Sequence, residues 1–235
     1  MNIIFIGCHP DDLEIACGGT MTRFANQGHS VYICHVANGN LGHTEILPDE
    51  LRGIRHMEAR EAGKLLGAAE VVSLDVADLE VRAGNPELIR KLVDVIRRVQ
   101  PDLIITHTPE DYMTDHIEVS KLVFDASFSA SVPHFSSQVV RTTKITPLYY
   151  MDTLAGINFQ PTEYVDITET IETKLAALAC HQSQIRWLKD HDGIDFLDFV
   201  RTISKFRGLQ SGVVYAEGFR QCPTWPRLTT KRLLP

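Results

Sequence analysis

The first twenty residues, MNIIFIGCHPDDLEIACGGT (Met1–Thr20), decide how the rest of the chain is read. Ile3 to Gly7 is an apolar run closed by glycine, the pattern of a short buried strand. His9, Asp11 and Asp12 follow at once, and a three-to-four spacing of Leu13, Ala16, Cys17, Thr20, Met21 and Phe24 then predicts a helix as far as Gln27. Ligand-type side chains between a first strand and a first helix stand where an open α/β sheet keeps its chemistry. Asp11 lies three before Glu14, which predicts a capping box. The plainer alternative is that Asp11 or Asp12 only caps the helix and His9 only turns the chain.

Outward from that stretch, strand and helix alternate. Ser30–Val36 reads as a strand, Asp49–Leu66 as a helix, Val71–Leu74 as a strand. A helix opens at Asn85-Pro86-Glu87, with proline at its first position, and runs to about Val99. Leu103–Thr106 is a strand, and a helix begins at His116. The pattern predicts an α/β, Rossmann-like three-layer fold, with a mostly parallel sheet and helices on both faces. The strand ends at Gly7, Val36, Leu74 and His107 should share one sheet edge. Further on, the pattern gives strands at Pro147–Met151, Tyr164–Ile167 and Val213–Phe219, a long helix from Asp166 or Thr168 to Lys189, and another over Ile194–Phe206. Ser127–Thr146 is serine-rich and irregular, a candidate lid or oligomer contact. Residues 1–235 read as one domain, with no repeat and no linker.

Bulk properties narrow the function. A formal net charge of −7 disfavours a nucleic-acid partner. Cys8, Cys17, Cys34, Cys180 and Cys222 are odd in number and scattered, which points to a reducing, cytoplasmic setting. No run of about 18 apolar residues exists to insert into a membrane. A nucleotide-binding reading fails, because the first turn has no GxGxxG and two carboxylates would face a pyrophosphate.

His9 and Asp12, three apart, can reach one point above the strand end, and imidazole with carboxylate suits zinc. His116 is the best third ligand, with Asp115 beside it as a further catalytic candidate. Asp11 would take the proton of the attacking water. Iron or manganese would also fit such a donor set.

These residues carry a resemblance. HPDD with LEIACGGT, then NGNLG, IRHMEA ahead of LG, and DYMTDH are similar to the LmbE-like, or PIG-L-like, zinc deacetylases. The similarity spans most of the chain and is strongest over 1–70 and 100–125. It implies hydrolysis of the N-acetyl group of a small N-acetylglucosamine-containing molecule, with one zinc per subunit in a trimer or hexamer. It places the zinc ligands on His9, Asp12 and His116, and the base on Asp11. Arg55 and Glu58 would frame the pocket, with the planar fork of Arg55 a candidate to hold a sugar hydroxyl or an anionic substituent, and Asn38 and Gly39 belong to a substrate loop. The family's HQSQ-type segment falls at His181–Gln184. Many members carry a histidine three before the third ligand, to hold the oxyanion or protonate the amine; here Met113 stands there. His107 and His43 are the candidates to replace it. Arg55 could instead form an ordinary i,i+3 pair with Glu58. Cleavage of another amide or a thiol conjugate, and a non-catalytic sugar-binding or assembly role, are the alternatives.

Overall fold

The computed structural model describes all residues, Met1–Pro235. A seven-stranded sheet runs through it in the order β3-β2-β1-β4-β5-β7-β6. The strands are β1 (Asn2–Gly7), β2 (Ser30–Ala37), β3 (Ala68–Val76), β4 (Leu103–Thr106), β5 (Leu148–Met151), β6 (Glu163–Asp166) and β7 (Ala216–Gln221). The first five are parallel; β7 runs antiparallel to both β5 and β6. The helices are α1 (Asp12–Asn26), α2 (Pro48–Leu65), α3 (Pro86–Val99), α4 (Thr114–Ser129), α5 (Ile171–Leu178), α6 (Gln182–Asp192) and α7 (Phe196–Ser211).

Strand alternation divides the core. Ile4, Ile6 and Cys8 pack with α3 and α4, while Ile3 and Phe5 pack with α1, α5 and α7. Both faces of β1 are therefore covered, which is why it reads as an unbroken apolar run. Full burial of one such side chain stabilises by about 1.5–3 kcal/mol. The chain winds outward through β2 and β3, then returns to place β4 on the other side of β1. The register aligns Gly7 with His35 and Ile6 with Thr106, so the loops after β1 and β4 open side by side. A doubly wound sheet binds its ligands at this switch point.

Three expectations change. No capping box forms: Asp11 makes no side-chain cap, and the Asp12 carboxylate instead accepts from the His9 amide at 2.6 Å. The long helix is two helices, because the chain tightens at Ala179–His181 and turns His181 inward. The Glu58 carboxylate then accepts from the amide and hydroxyl of Ser183 at 2.8 and 2.6 Å, and so caps α6. The last strand begins at Ala216 and not Val213. The 127–146 stretch is fastened to α3 by buried Arg97, which donates to the carbonyls of Ala130, Val132 and Val139.

Candidate active site

The turn after β1, the first turn of α1, the end of β4 and the start of α4 meet around one atom. Asp12 Oδ2 lies 3.5 Å from His9 Nδ1, 3.3 Å from His107 Nε2 and 3.3 Å from His116 Nε2. Donors about 2.0–2.1 Å from a tetrahedral zinc stand about 3.3 Å apart, so this spacing fits an ion. His116 Nε2 is buried without a hydrogen-bond partner, as a ligand atom awaiting a cation would be. His107 Nε2 is different. It accepts from the Cys8 amide at 2.9 Å, which uses its lone pair. Ligand atoms within 4.8 Å of one another fall into two groups that share Asp12, one with Cys8 and His9 and one with His107 and His116, so Asp12 links the expected ligands His9 and His116.

Each of those two histidines is backed by a carboxylate. Asp111 Oδ2 is 3.0 Å from His116 Nδ1, and Asp115 Oδ2 is 3.4 Å from His9 Nε2. Such partners fix tautomer and ring orientation at metal sites. Burial disfavours the His116 imidazolium, but Asp12 and Asp111 outweigh it and lift the group to about 9. The cluster pulls on positive charge, which a divalent ion would supply.

Asp11 occupies a costly conformation. Its φ is 112°, in a region that non-glycine residues rarely enter. Arg55 holds it there: the guanidinium lies 3.1 Å from Asp11 Oδ1 and donates to the carbonyls of Pro10 and Gly39. Burial lifts the Asp11 carboxyl to about 6, against the downward pull of Arg55. Arg55 therefore acts as a strut, and neither a free fork for substrate nor a partner of Glu58. Gly39, at φ 75°, is required beside it, since a Cβ there would sit 2.5 Å from Arg55 Nη1.

The remaining candidates separate by position. Asn38 donates to Asp75, and Gly39 donates its amide to Asp78; both hold the loop, and neither lines the cavity. His43 Nδ1 accepts from the amides of Glu45 and Ile46 and faces an outer cleft, so it does not replace the histidine absent at Met113. His107 does line the cavity, stacked on His116 with centroids 3.9 Å apart. Asp115 orients His9 and accepts from the Leu79 amide at 2.7 Å, a positioning task where catalysis was expected. Sequence reasoning missed Asp111 and Asp78. Asp78 accepts from the amides of Gly39 and Leu41, and the signal for Asp111 was its place in the same TPEDYMTD loop.

The cavity above these groups holds about 480 Å³, and no residue of 127–146 lines it. His181 does not line it either. It is fully buried, 3.6 Å from Glu14. His35 lies near this pair, 2% exposed, with Nε2 unpartnered; burial pushes its pKa down to about 4. The unfolded chain binds this proton near 6.5 and the native chain near 4, so stability falls as pH drops through that window. Between pH 7 and 5 the loss from His35 is on the order of 2 kcal/mol. Urea midpoints at both values should converge for His35→Leu relative to the parent; an unchanged gap would remove His35 from the account.

Carboxylate-backed histidines around a further carboxylate, at the switch point of a doubly wound sheet, belong to the metal-dependent hydrolases. Comparison gives the family. Residues 4–127, just over half of the chain, match the model of the GlcNAc-PI de-N-acetylases (PIG-L). The chain belongs to this family of metal-dependent amide hydrolases. It is 28% identical over 233 residues to diacetylchitobiose deacetylase of Thermococcus kodakarensis, covering 94% of this chain and 83% of that one. It is 26% identical over 246 residues to 4-oxalmesaconate hydratase of Pseudomonas putida, covering 96% and 90%. Among solved structures, N,N'-diacetylchitobiose deacetylase of Pyrococcus horikoshii superposes with a TM-score of 0.83 at 29% identity, over 94% of this chain and 83% of that one. No helix here is long and apolar enough to cross a membrane.

Proposed function

We propose that the protein is a zinc-dependent hydrolase that removes an N-acetyl group from a small N-acetylglucosamine-containing molecule. The observation that carries this is the pairing of His9 with Asp115 and of His116 with Asp111 around Asp12, with Asp11 beside them in the same cavity. His9, Asp12 and His116 would hold the ion. Bound there, zinc would polarise the amide carbonyl and lower the pKa of water. Asp11 takes the proton from the attacking water. Arg55 engages one of its oxygens, and no other side chain pairs with the second. The same carboxyl then returns the proton to the leaving amine nitrogen. Met113 has no proton to give and its thioether is too weak a base to take one, and His107 Nε2 is committed to Cys8, so Asp11 carries both transfers.

The hydratase relative suggests a second reading, water addition to a carboxylate-bearing substrate. Charge opposes it. Asp11, Asp12, Asp78, Asp111, Asp115 and Asp152 line the cavity, and Arg55 is its only lysine or arginine. A polycarboxylate would find repulsion there, whereas a neutral amide would not. The amine product, protonated, would be attracted.

One zinc per subunit, a homo-oligomer and a cytoplasmic setting complete the reading. The five unpaired cysteines support the compartment. The test is acetate release from a panel of N-acetylglucosamine derivatives by protein given one equivalent of zinc. Equal amounts of acetate and free amine are expected. Hydration of a carboxylated substrate without any acetate release would overturn the reading.

A further inference from the structure

The cavity has two kinds of lining. One is the histidines and aspartates described above. The other is an apolar wall: Leu154, Leu188 and Phe196, with Ile15, Ala16 and Met151, belong to one apolar cluster, and Leu41, Leu79 and Met113 also line the cavity. Few polar groups interrupt it. Asp152 lines the cavity, but both carboxylate oxygens are taken by Arg207, at 2.6 and 3.0 Å. Gln184 commits its amide nitrogen to the Gly42 carbonyl at 3.1 Å. A hydroxyl-rich group against this wall would lose water and find few partners, which is unfavourable. An apolar group would gain by burial.

The mouth repeats the theme. Leu41 is 49% exposed and Leu79 66% exposed, although both line the cavity. Leu79 is also held at φ 66°, a costly conformation for leucine. The bond from its amide to Asp115 keeps it there, so the residue that orients His9 also fixes an apolar side chain at the entrance. Strain of this kind persists where the surroundings impose it, and it collects at ligand clamps.

We propose that the substrate carries, on the amine side of its N-acetyl amide, an apolar group of roughly six to ten carbons that binds the wall of Met113, Leu154, Leu188 and Phe196, with Leu79 closing over it. This rests on the deacetylase reading for the position of the amide alone. A disaccharide or a polyol against that wall would be a poorer fit than an alkyl chain or an aromatic ring.

The experiment compares methyl and octyl N-acetylglucosaminides with the zinc-loaded protein, by acetate release and by calorimetric binding. Three to four buried methylenes, at about fourfold each, give the octyl compound an advantage of about a hundredfold in kcat/KM and in affinity. Leu188→Ser and Leu79→Ser should bring that ratio toward one. Both positions are at least partly exposed, so these variants can fold; Phe196→Ala, at a buried position, is the third and is checked by its circular dichroism. Acetate from both compounds at rates within threefold would overturn the proposal and leave the deacetylase reading standing. Tighter octyl binding that the serine variants abolish, with no acetate from either compound, would support the apolar site and overturn the deacetylase reading. A preference unmoved by all three variants would overturn the assignment of the wall.

Discussion

Replacing Asp11 by asparagine should lower acetate release by about 10²–10⁴-fold, the usual worth of a positioned general base, while the bound zinc stays at one equivalent. The substitution is chosen for the backbone as much as for the side chain. Asp11 sits at φ 112°, and asparagine enters the positive-φ region more readily than most residues. Its amide oxygen can still accept from Arg55, which now holds Asp11 Oδ1 at 3.1 Å. Geometry is kept and basicity is lost. Asp11→Ala would confuse the two, since it also removes the Arg55 anchor and frees the strained turn. Turnover and metal content measured together decide the matter. A variant with full zinc and activity within tenfold of the parent would move the proton transfer to another group.

The sequence discloses Asp11 and its neighbours because their signals are local. An apolar run closed by glycine fixes where β1 ends, and the alternation of strand and helix places β4 beside it. His9, Asp12 and His116 follow from those two strand ends. The groups behind them do not. Asp111, in a loop, and Asp115, in the first turn of α4, show no sign of their partners until the fold sets one against His116 and the other against His9. Arg55 looks like a ligand for an anion because an arginine on a helix shows no sign of what it will meet; here it meets Pro10, Asp11 and Gly39. The break between α5 and α6 is hidden for the same reason. No proline or glycine marks it, and the turn is set by His181 packing on Glu14, 167 positions earlier in the chain. Local chemistry is readable from the chain, and long-range polar pairing is not.

The CGGT segment of α1 shows a further long-range pairing, and it yields the largest expected effect on stability. Glu217, 3% exposed on β7, accepts from the amides of Gly19 and Thr20 at 2.9 and 2.8 Å and from Lys174 Nζ at 2.6 Å. Lys174, 1% exposed, comes from α5. The two glycines make room: a Cβ on Gly18 would lie 2.9 Å from Lys174, and one on Gly19 would lie 2.6 Å from Ile167. Lys174→Met keeps most of the volume but strands a buried carboxylate, which should cost about 3–5 kcal/mol. For a chain of this size that corresponds to a fall in Tm of roughly 6–20 °C. Adding Glu217→Gln removes the stranded charge and should recover most of the loss. Recovery stays incomplete, because one amide oxygen cannot serve both Gly19 and Thr20 as two carboxylate oxygens do, a deficit of about 1–3 kcal/mol. Urea unfolding of the parent, both single variants and the double variant closes the cycle. A Lys174→Met variant within 1 kcal/mol of the parent would mean that the two backbone amides alone satisfy Glu217. The expected outcome instead makes the ion pair the anchor of α1. Asp11 and Asp12 stand at the start of that helix, about two turns before Gly19, so the same anchor steadies the site.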